Sequence, residues 1–329
     1  GTSAIFTIEA TVDPNHSANA FAFNRQTFVG LKKNGLATVS IGTQYSPVFD
    51  VQSTTDAAGN NNLVGNAIYS GVLQSSTGTY NQGNAPYTSS GAAPVSLNEA
   101  SSAYVTRFSN ALKVQSDRVG GLQGELFYAQ ANNSQSGTAA NTTGSNTNSV
   151  FGLNADYIWN KLQVVAAYQT IRAYNGLAAQ TAATMTLANG TAGSYGVSNS
   201  DSQTYAAATY DFGIFKGYAQ YITRKAFSVV DNNQGTSRSA YQLGARAVLT
   251  PTVQVYATYG LGKSSYFQAG TAYANFRTTQ LGTDYYLSKR TNLYAAYGSF
   301  NQSSPNSAAV PNVSSLSGMN YAVGVRHTF

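Results

Sequence analysis

The sequence predicts an all-β fold, a transmembrane antiparallel β-barrel formed by residues 1–329 as a single domain. Three observations predict it. Charged residues make up only 9% of the chain while hydrophobic residues reach only 42%, whereas water-soluble domains carry about 25% charged residues. Apolar and polar side chains alternate with a period of two over successive segments. The connections between those segments switch regularly between tight turns and long polar loops, as outer-membrane barrels require of their two rims.

Several other classes are excluded by the same arithmetic. No apolar run approaches the 18 or so residues of a transmembrane helix. No charged n-region leads into an apolar stretch at Gly1, so no signal peptide is expected. The 24 Tyr and 15 Phe argue against a disordered polar chain. With no cysteine, disulfides and thiolate metal sites are unavailable. The net charge is +6, and its longest basic runs are the pairs Lys32-Lys33, Arg224-Lys225 and Lys289-Arg290. These are too sparse for a nucleic-acid footprint.

The alternation is clearest in Leu153-Asn154-Ala155-Asp156-Tyr157, where Leu, Ala and Tyr share one face and Asn and Asp the other. It recurs in Leu243-Gly244-Ala245-Arg246-Ala247, in Leu281-Gly282-Thr283-Asp284-Tyr285 and in Val323-Gly324-Val325-Arg326. The first three are followed by a short turn and a second strand, and Tyr205–Asp211 with Phe215–Tyr221 makes a further copy. This hairpin repeat has a spacing of about 40–50 residues. Fourteen strands are predicted, near 4–11, 25–33, 37–45, 106–116, 121–130, 150–158, 161–172, 202–211, 214–225, 238–249, 252–263, 275–287, 291–300 and 319–329. Tight turns fall near 34–36, 117–120, 159–160, 212–213, 250–251 and 288–290. Long loops span 12–24, 46–105, 131–149, 173–201, 226–237, 264–274 and 301–318. A soluble sandwich has no reason for that asymmetry.

In a barrel of this kind the apolar face points to lipid, since an Arg there costs about 2–4 kcal/mol at the midplane. The last strand therefore turns Tyr321, Val323, Val325, His327 and Phe329 outwards and Asn320, Ala322, Gly324, Arg326 and Thr328 inwards. Tyr157, Tyr210, Tyr285 and Phe329 are expected to form an aromatic girdle near the short turns, with Tyr168, Tyr221, Tyr259 and Tyr297 at the other interface. The same parity places Arg107, Lys113, Lys216, Arg224, Arg246 and Arg326 inside with Glu9, Glu125, Asp156, Asp211 and Asp284. So many ionisable groups cannot form a dry core, and the wall is expected to line water.

Several segments resemble the general porins of β-proteobacteria such as Burkholderia, Comamonas and Neisseria relatives. The end Ala322-Val323-Gly324-Val325-Arg326-His327-Thr328-Phe329 looks like the family's C-terminus, and Phe329 resembles its membrane-insertion signal for the barrel-assembly machinery. Phe23-Asn24-Arg25-Gln26-Thr27-Phe28-Val29-Gly30-Leu31 is similar to the family's Phe-Gly-Arg-Gln-Ala-Tyr-Val-Gly-Leu. Thr38–Pro47 resembles the strand that leads into the family's constriction loop, and Leu287-Ser288-Lys289-Arg290-Thr291 is a further match. The resemblance implies a sixteen-stranded homotrimer in a Gram-negative outer membrane, in contact with lipids and lipopolysaccharide. It also implies a water-filled lumen with the third loop folded inwards. On that reading an N-terminal hairpin is expected before Gly1, and the loop 46–105 is the third; the rival is a genuine barrel of fourteen strands. Thr43 and Thr328 stand where relatives commonly carry Arg.

The loop 46–105 holds three acids, Asp50, Asp56 and Glu99, and no Lys or Arg. It is expected to be structureless and to narrow the lumen opposite Arg107, Lys113 and Arg25, so that acids and bases face each other across water. With Glu125 on the acidic side, and Arg224, Arg246 and Arg326 on the basic side, these residues form the candidate site. The expected activity is passive diffusion of small hydrophilic solutes and ions, with mild anion preference from six wall bases against five wall acids. The alternatives are a channel selective for organic acids or sugars, and an adhesin or receptor on a barrel scaffold. No cofactor, metal centre or catalytic group is expected: the only histidines are His16 and His327, far apart in the chain. Asp13, Asp231 and the Asn-rich loop tips could hold Ca²⁺ at the rim, but solvated loop polarity is the favoured reading of them.

Overall fold

Successive residues of these strands pair through their backbones with neighbouring strands, while their side chains alternate between two environments. The computed structural model describes residues 1–12, 21–22, 25–61, 63–68, 74–75, 78–79, 107–135, 144–175, 184–186, 192–194, 198–228, 235–266, 273–303 and 315–328. Its main sheet has fourteen strands: β1 (Thr2–Ile8), β2 (Thr27–Lys33), β3 (Ala37–Tyr45), β4 (Arg107–Ser116), β5 (Leu122–Gln135), β6 (Gly144–Trp159) and β7 (Leu162–Asn175), then β8 (Ser198–Asp211), β9 (Phe215–Ser228), β10 (Gly235–Thr250), β11 (Val253–Tyr266), β12 (Tyr273–Tyr286), β13 (Thr291–Gln302) and β14 (Leu316–His327). Order in the sheet is order in the chain, all antiparallel, with β1 and β14 at the two edges. Short two-stranded pairs lie in the long loops, at Thr11–Val12 with Phe21–Ala22, Gln74–Ser75 with Gly78–Thr79 and Thr184–Thr186 with Ala192–Ser194. The hairpin implied before Gly1, and Phe329 itself, lie outside the described residues.

The strands are those the alternation predicts, but many run further towards the long loops. β6 starts at Gly144, and Asn146 still pairs with Asn175. Beyond the apolar band both faces of a strand meet water, so the sequence loses its period-two signal while the ladder hydrogen bonds continue. At the other rim, Asn160 closes the β6–β7 turn at φ 51°, a left-handed conformation that Asn tolerates.

Burial is inverted relative to a water-soluble sheet. On β6, Leu153 and Tyr157 are 39% and 40% exposed while Asn154 and Asp156 are 6% and 9% exposed. Leu243 and Leu281 are likewise exposed beside the buried Gln242 and Gln280. Apolar side chains facing outwards on strand after strand belong in hydrocarbon. Tyr157, Tyr210 and Tyr285 are exposed on that face towards the short turns, and Tyr168, Tyr259 and Tyr297 towards the loops. Tyr221 stacks on Tyr241, its ring 4.6 Å away.

The inner face is not lined by water throughout, which corrects the expectation for part of the wall. Val48, Val51, Val64 and Ile68 of the segment 46–68 pack against Val165, Tyr205, Ile222, Phe276 and Phe300, all inward on the strands. Apolar inward residues are thus sheltered by chain that the sheet curves around.

The inverted burial makes a direct prediction. Leu153→Arg should lower folding stability in lipid vesicles by about 2–4 kcal/mol, because the guanidinium would sit in hydrocarbon near mid-strand. Urea titration followed by the heat-dependent gel shift of the folded barrel measures it.

Candidate functional site

The site is built where the chain leaves β3. Ser46 caps a helix, α1 (Pro47–Thr54), its hydroxyl accepting from the Phe49 amide at 3.3 Å. Pro47 fits the first turn, where no amide hydrogen bond is lost, and Asp50 lies at the positive end of the helix dipole. Thr54 and Thr55 return their hydroxyls to the Val51 carbonyl at 2.9 and 2.8 Å, closing the helix. The loop expected to be structureless therefore begins with a helix, and its buried face of Val48 and Val51 is what holds it to the wall.

The wall receives this segment with a row of buried glutamines. Gln169 and Gln203 are direct cross-strand partners, as are Gln220 and Gln242. Gln169 Oε1 accepts from the Val48 amide at 3.4 Å, and its Nε2 donates to Gln203 at 3.1 Å. Gln242 accepts from the Ala67 amide at 2.8 Å and donates to Gln220 at 2.9 Å and to Asp56 at 3.3 Å. Gln280 donates to the carbonyls of Leu63 and Val64 at 2.7 and 3.1 Å. Tyr205 joins the row, its hydroxyl 2.6 Å from Thr55 Oγ1 and accepting from Gln220 at 3.0 Å. Glycines let the segment approach: a Cβ at Gly298 would overlap the Val64 carbonyl, and one at Gly260 the methyl of Ala67. Gln169, Gln220 and Gln242 each both donate and accept, so the row satisfies irregular backbone that no β-ladder covers.

Charges come in two kinds. Some are paired. Lys113 on β4 binds Asp50 of α1 and lies 3.5 Å from Glu125 on β5. Arg224 and Asp201 form a buried pair at 2.6 Å. Arg246 reaches Asp284 at 3.3 Å and the Ala57 carbonyl at 3.0 Å. Arg25 binds Glu9 and donates to the Tyr45 hydroxyl at 3.0 Å. Others lie over aromatic rings. Arg107 is 5.4 Å from the centre of Tyr45, Lys216 5.2 Å from Tyr218 and Arg326 5.8 Å from Tyr294. Among the described residues, these three have no carboxylate oxygen within 4.0 Å, although Asp211 is the cross-strand neighbour of Lys216.

Asp56 is the second acid of the segment. Burial pushes its carboxyl up from the ordinary aspartate value, against the opposing pull of the Asn60 amide and the Asn66 side chain. It is therefore a weaker source of negative charge than a solvated aspartate.

The structure thus gathers Asp50, Lys113 and Glu125 into one cluster, where the sequence places acid and base on opposite sides of water. Arg224 is buried in its pair and presents no free charge. Glu99 lies outside the described residues, as do Asp13, His16 and Asp231. His327 Nδ1 is 2.9 Å from Thr291 Oγ1. The glutamine row was missed from the sequence, as were Asp201 and Arg238. Arg238 stacks on Phe276 at 4.5 Å and donates to the Ala67 carbonyl at 2.7 Å. It stands eight residues before Arg246, on the same inward face, so the period-two rule could have found it.

A family model described as "Gram-negative porin" matches residues 1–305. No curated protein matches the sequence. Among solved structures, the anion-selective porin of Comamonas acidovorans aligns at TM-score 0.67 and 19% identity, covering 100% of this chain and 85% of that one. OmpF of Salmonella typhi, in complex with daunomycin, aligns at TM-score 0.56 and 17% identity, covering 98% and 85%. The outer-membrane channel DcaP of Acinetobacter baumannii aligns at TM-score 0.58 and 11% identity, covering 100% and 81%. At these identities the likenesses speak for the fold.

Removing a rung of the glutamine row should loosen the segment. Gln280→Leu leaves the Leu63 and Val64 carbonyls without their donor, at about 1–3 kcal/mol. Hydrogen exchange at the amides of 63–68 should quicken by roughly five-fold to a hundred-fold, and unchanged exchange would show that apolar packing alone holds the segment.

Proposed function

The chain belongs to the Gram-negative porin family of outer-membrane channels, and from that premise we propose that it is a passive diffusion pore for small hydrophilic solutes and ions, mildly anion-preferring and working as a homotrimer. The segment 46–68 crosses the inner wall from β6 to β13 and narrows the lumen. Small hydrated solutes pass what remains, and larger ones are refused by size.

The observation that carries the anion preference is the pairing pattern of the bases. Lys113, Arg224 and Arg246 each meet a carboxylate, so little of their charge reaches the lumen. Arg107 and Arg326 lie over tyrosines instead, and keep theirs. A ring face orients a guanidinium without neutralising it. The resulting selection is weak. Two opposite charges about 10 Å apart in water interact by about 0.4 kcal/mol, and salt screens this over roughly 8 Å. Two such bases give a several-fold preference rather than a filter. The resemblance of this fold to a porin described as anion-selective supports the same sign.

A second reading draws on the same tyrosines. Bases lying over Tyr45 and Tyr294 offer charge and an aromatic face together, which suits organic acids. Saturable block of the current by benzoate would favour it over unselective diffusion.

Reversal potentials in planar bilayers under a tenfold KCl gradient test the main reading. The wild-type channel should favour chloride several-fold, in conductance steps grouped in threes. Arg107→Gln with Arg326→Gln should move the reversal potential towards potassium, and an unmoved potential would remove these residues from the selective path. Lys113→Gln should move it the same way, because Asp50 and Glu125 are then left without their shared cation.

A further inference from the structure

On the short-turn side of the segment 46–68, two bases stand directly opposite each other on the inner wall. Lys216 of β9 and Arg246 of β10 are cross-strand partners. Both share the inward parity of the buried Gln220 and Gln242 on the same strands. Directly opposed side chains have their Cβ atoms about 5 Å apart, and like charges so placed repel. The acids nearby do not remove that conflict. Asp211 is the other cross-strand partner of Lys216, but its carboxylate accepts from the Gly213 amide at 2.7 Å and closes the β8–β9 turn. Asp284, on β12, meets Arg246 from the side away from Lys216 and also accepts from Asn292 at 2.9 Å. Asp56 is turned to Asn60, Asn66 and Gln242.

The two basic side chains converge. Lys216 Nζ lies 5.2 Å from the centre of the Tyr218 ring, one inward position further along β9 towards the segment. Tyr218 is opposite Gly244, and a Cβ on Gly244 would press on the methyl of Ala57. Arg246 reaches the same place, its Nε donating to the Ala57 carbonyl at 3.0 Å. Its Nη1 is taken by Gln254 and Asp284. Its guanidinium lies 5.3 Å from the centre of Tyr256, whose hydroxyl accepts from Asn61 at 2.7 Å. Lys216, Tyr218 and Arg246 therefore gather under Ala57, where the segment meets the wall.

Three donors are left over at that point. Among the described residues, Lys216 Nζ, the Tyr218 hydroxyl and Arg246 Nη2 have no hydrogen-bond partner. Lysine and arginine donate only, so they cannot satisfy each other. Lys216 and Tyr218 are half-buried and the Arg246 side chain is 27% exposed, so the lumen reaches all three. Two cations and a phenol, with no open acceptor among them, are the complement of a group carrying negative charge on several oxygens.

We propose that Lys216, Arg246 and Tyr218 bind a tetrahedral dianion such as sulfate, on the short-turn side of the constriction. This rests on the reading of the chain as a diffusion pore and adds a second anion station to the one at Arg107. An oxyanion seated between the two bases replaces their repulsion with two attractions. Chloride, a single sphere, meets fewer of the donors, so a dianion held here retards the chloride that follows it.

Chloride currents through single channels in planar bilayers test this at constant ionic strength, with sulfate and with methanesulfonate, a monoanion that keeps three of the four oxygens. Sulfate should block saturably, at a half-block concentration about five-fold below that of methanesulfonate, and less as KCl rises. Lys216→Gln should raise the sulfate value about three-fold, and Lys216→Arg should restore it. Lys216 makes no hydrogen bond to a described residue, so the folded-barrel gel shift should survive its replacement, and the comparison of the two anions needs no variant. Arg107→Gln, on the long-loop side of the segment, should move the reversal potential yet leave the sulfate block in place. Equal block by the two anions, or a sulfate block that Lys216→Gln leaves intact, would overturn the proposal in a pore that still prefers chloride. A pore without chloride preference would instead overturn the reading on which it rests.

Discussion

A strand that separates hydrocarbon from water must give alternate side chains to each, and that constraint organises everything else in this molecule. It turns Leu153 and Tyr157 outwards and Asn154 and Asp156 inwards on one strand. It repeats on neighbours because antiparallel pairing keeps directly opposed residues on the same face. It also explains a composition that is neither apolar nor charged. Half of each strand must suit lipid and half must suit polar surroundings, so the averages cancel while the pattern persists.

The inner half then has a second task. An irregular segment can enter the lumen only if its backbone groups find partners. Charges would serve poorly, since each needs a counter-charge when water is excluded. Glutamines serve well, because one neutral side chain can accept from an amide and donate to a neighbour, as Gln242 does between Ala67, Gln220 and Asp56. Arg238, Arg246 and Lys113 add charged contacts to the segment, and the electrostatics of the lumen fall to the few bases that remain without a carboxylate partner. Their effect depends on what each one meets: a carboxylate cancels it, and a tyrosine ring holds it in place.

The strands and their two faces were legible in the sequence because a single local rule, the period of two, decides both. Strand ends were not, as at Gly144, where the alternation fades before the ladder does. The helix α1 had its own local signals in Ser46, Pro47 and Asp50, but a sixty-residue polar loop (46–105) read as a whole obscured them. The glutamine row was out of reach for a different reason. Each glutamine alone resembles any solvated strand residue, and only the register between strands and the path of a distant segment bring the row together. The same holds for Lys113, whose inward parity was evident while its partner Asp50 depended on where α1 docks.

The absence of cysteine makes the central constraint directly measurable. Single cysteines placed along β14 in vesicle-reconstituted protein can be probed with a water-soluble thiol reagent and, once spin-labelled, with a lipid-soluble relaxant. Positions 320, 322 and 326 should react from water, while 319, 321, 323 and 325 should be shielded and reached by the relaxant. Reaction without a two-residue period, or with the two sets exchanged, would contradict the account.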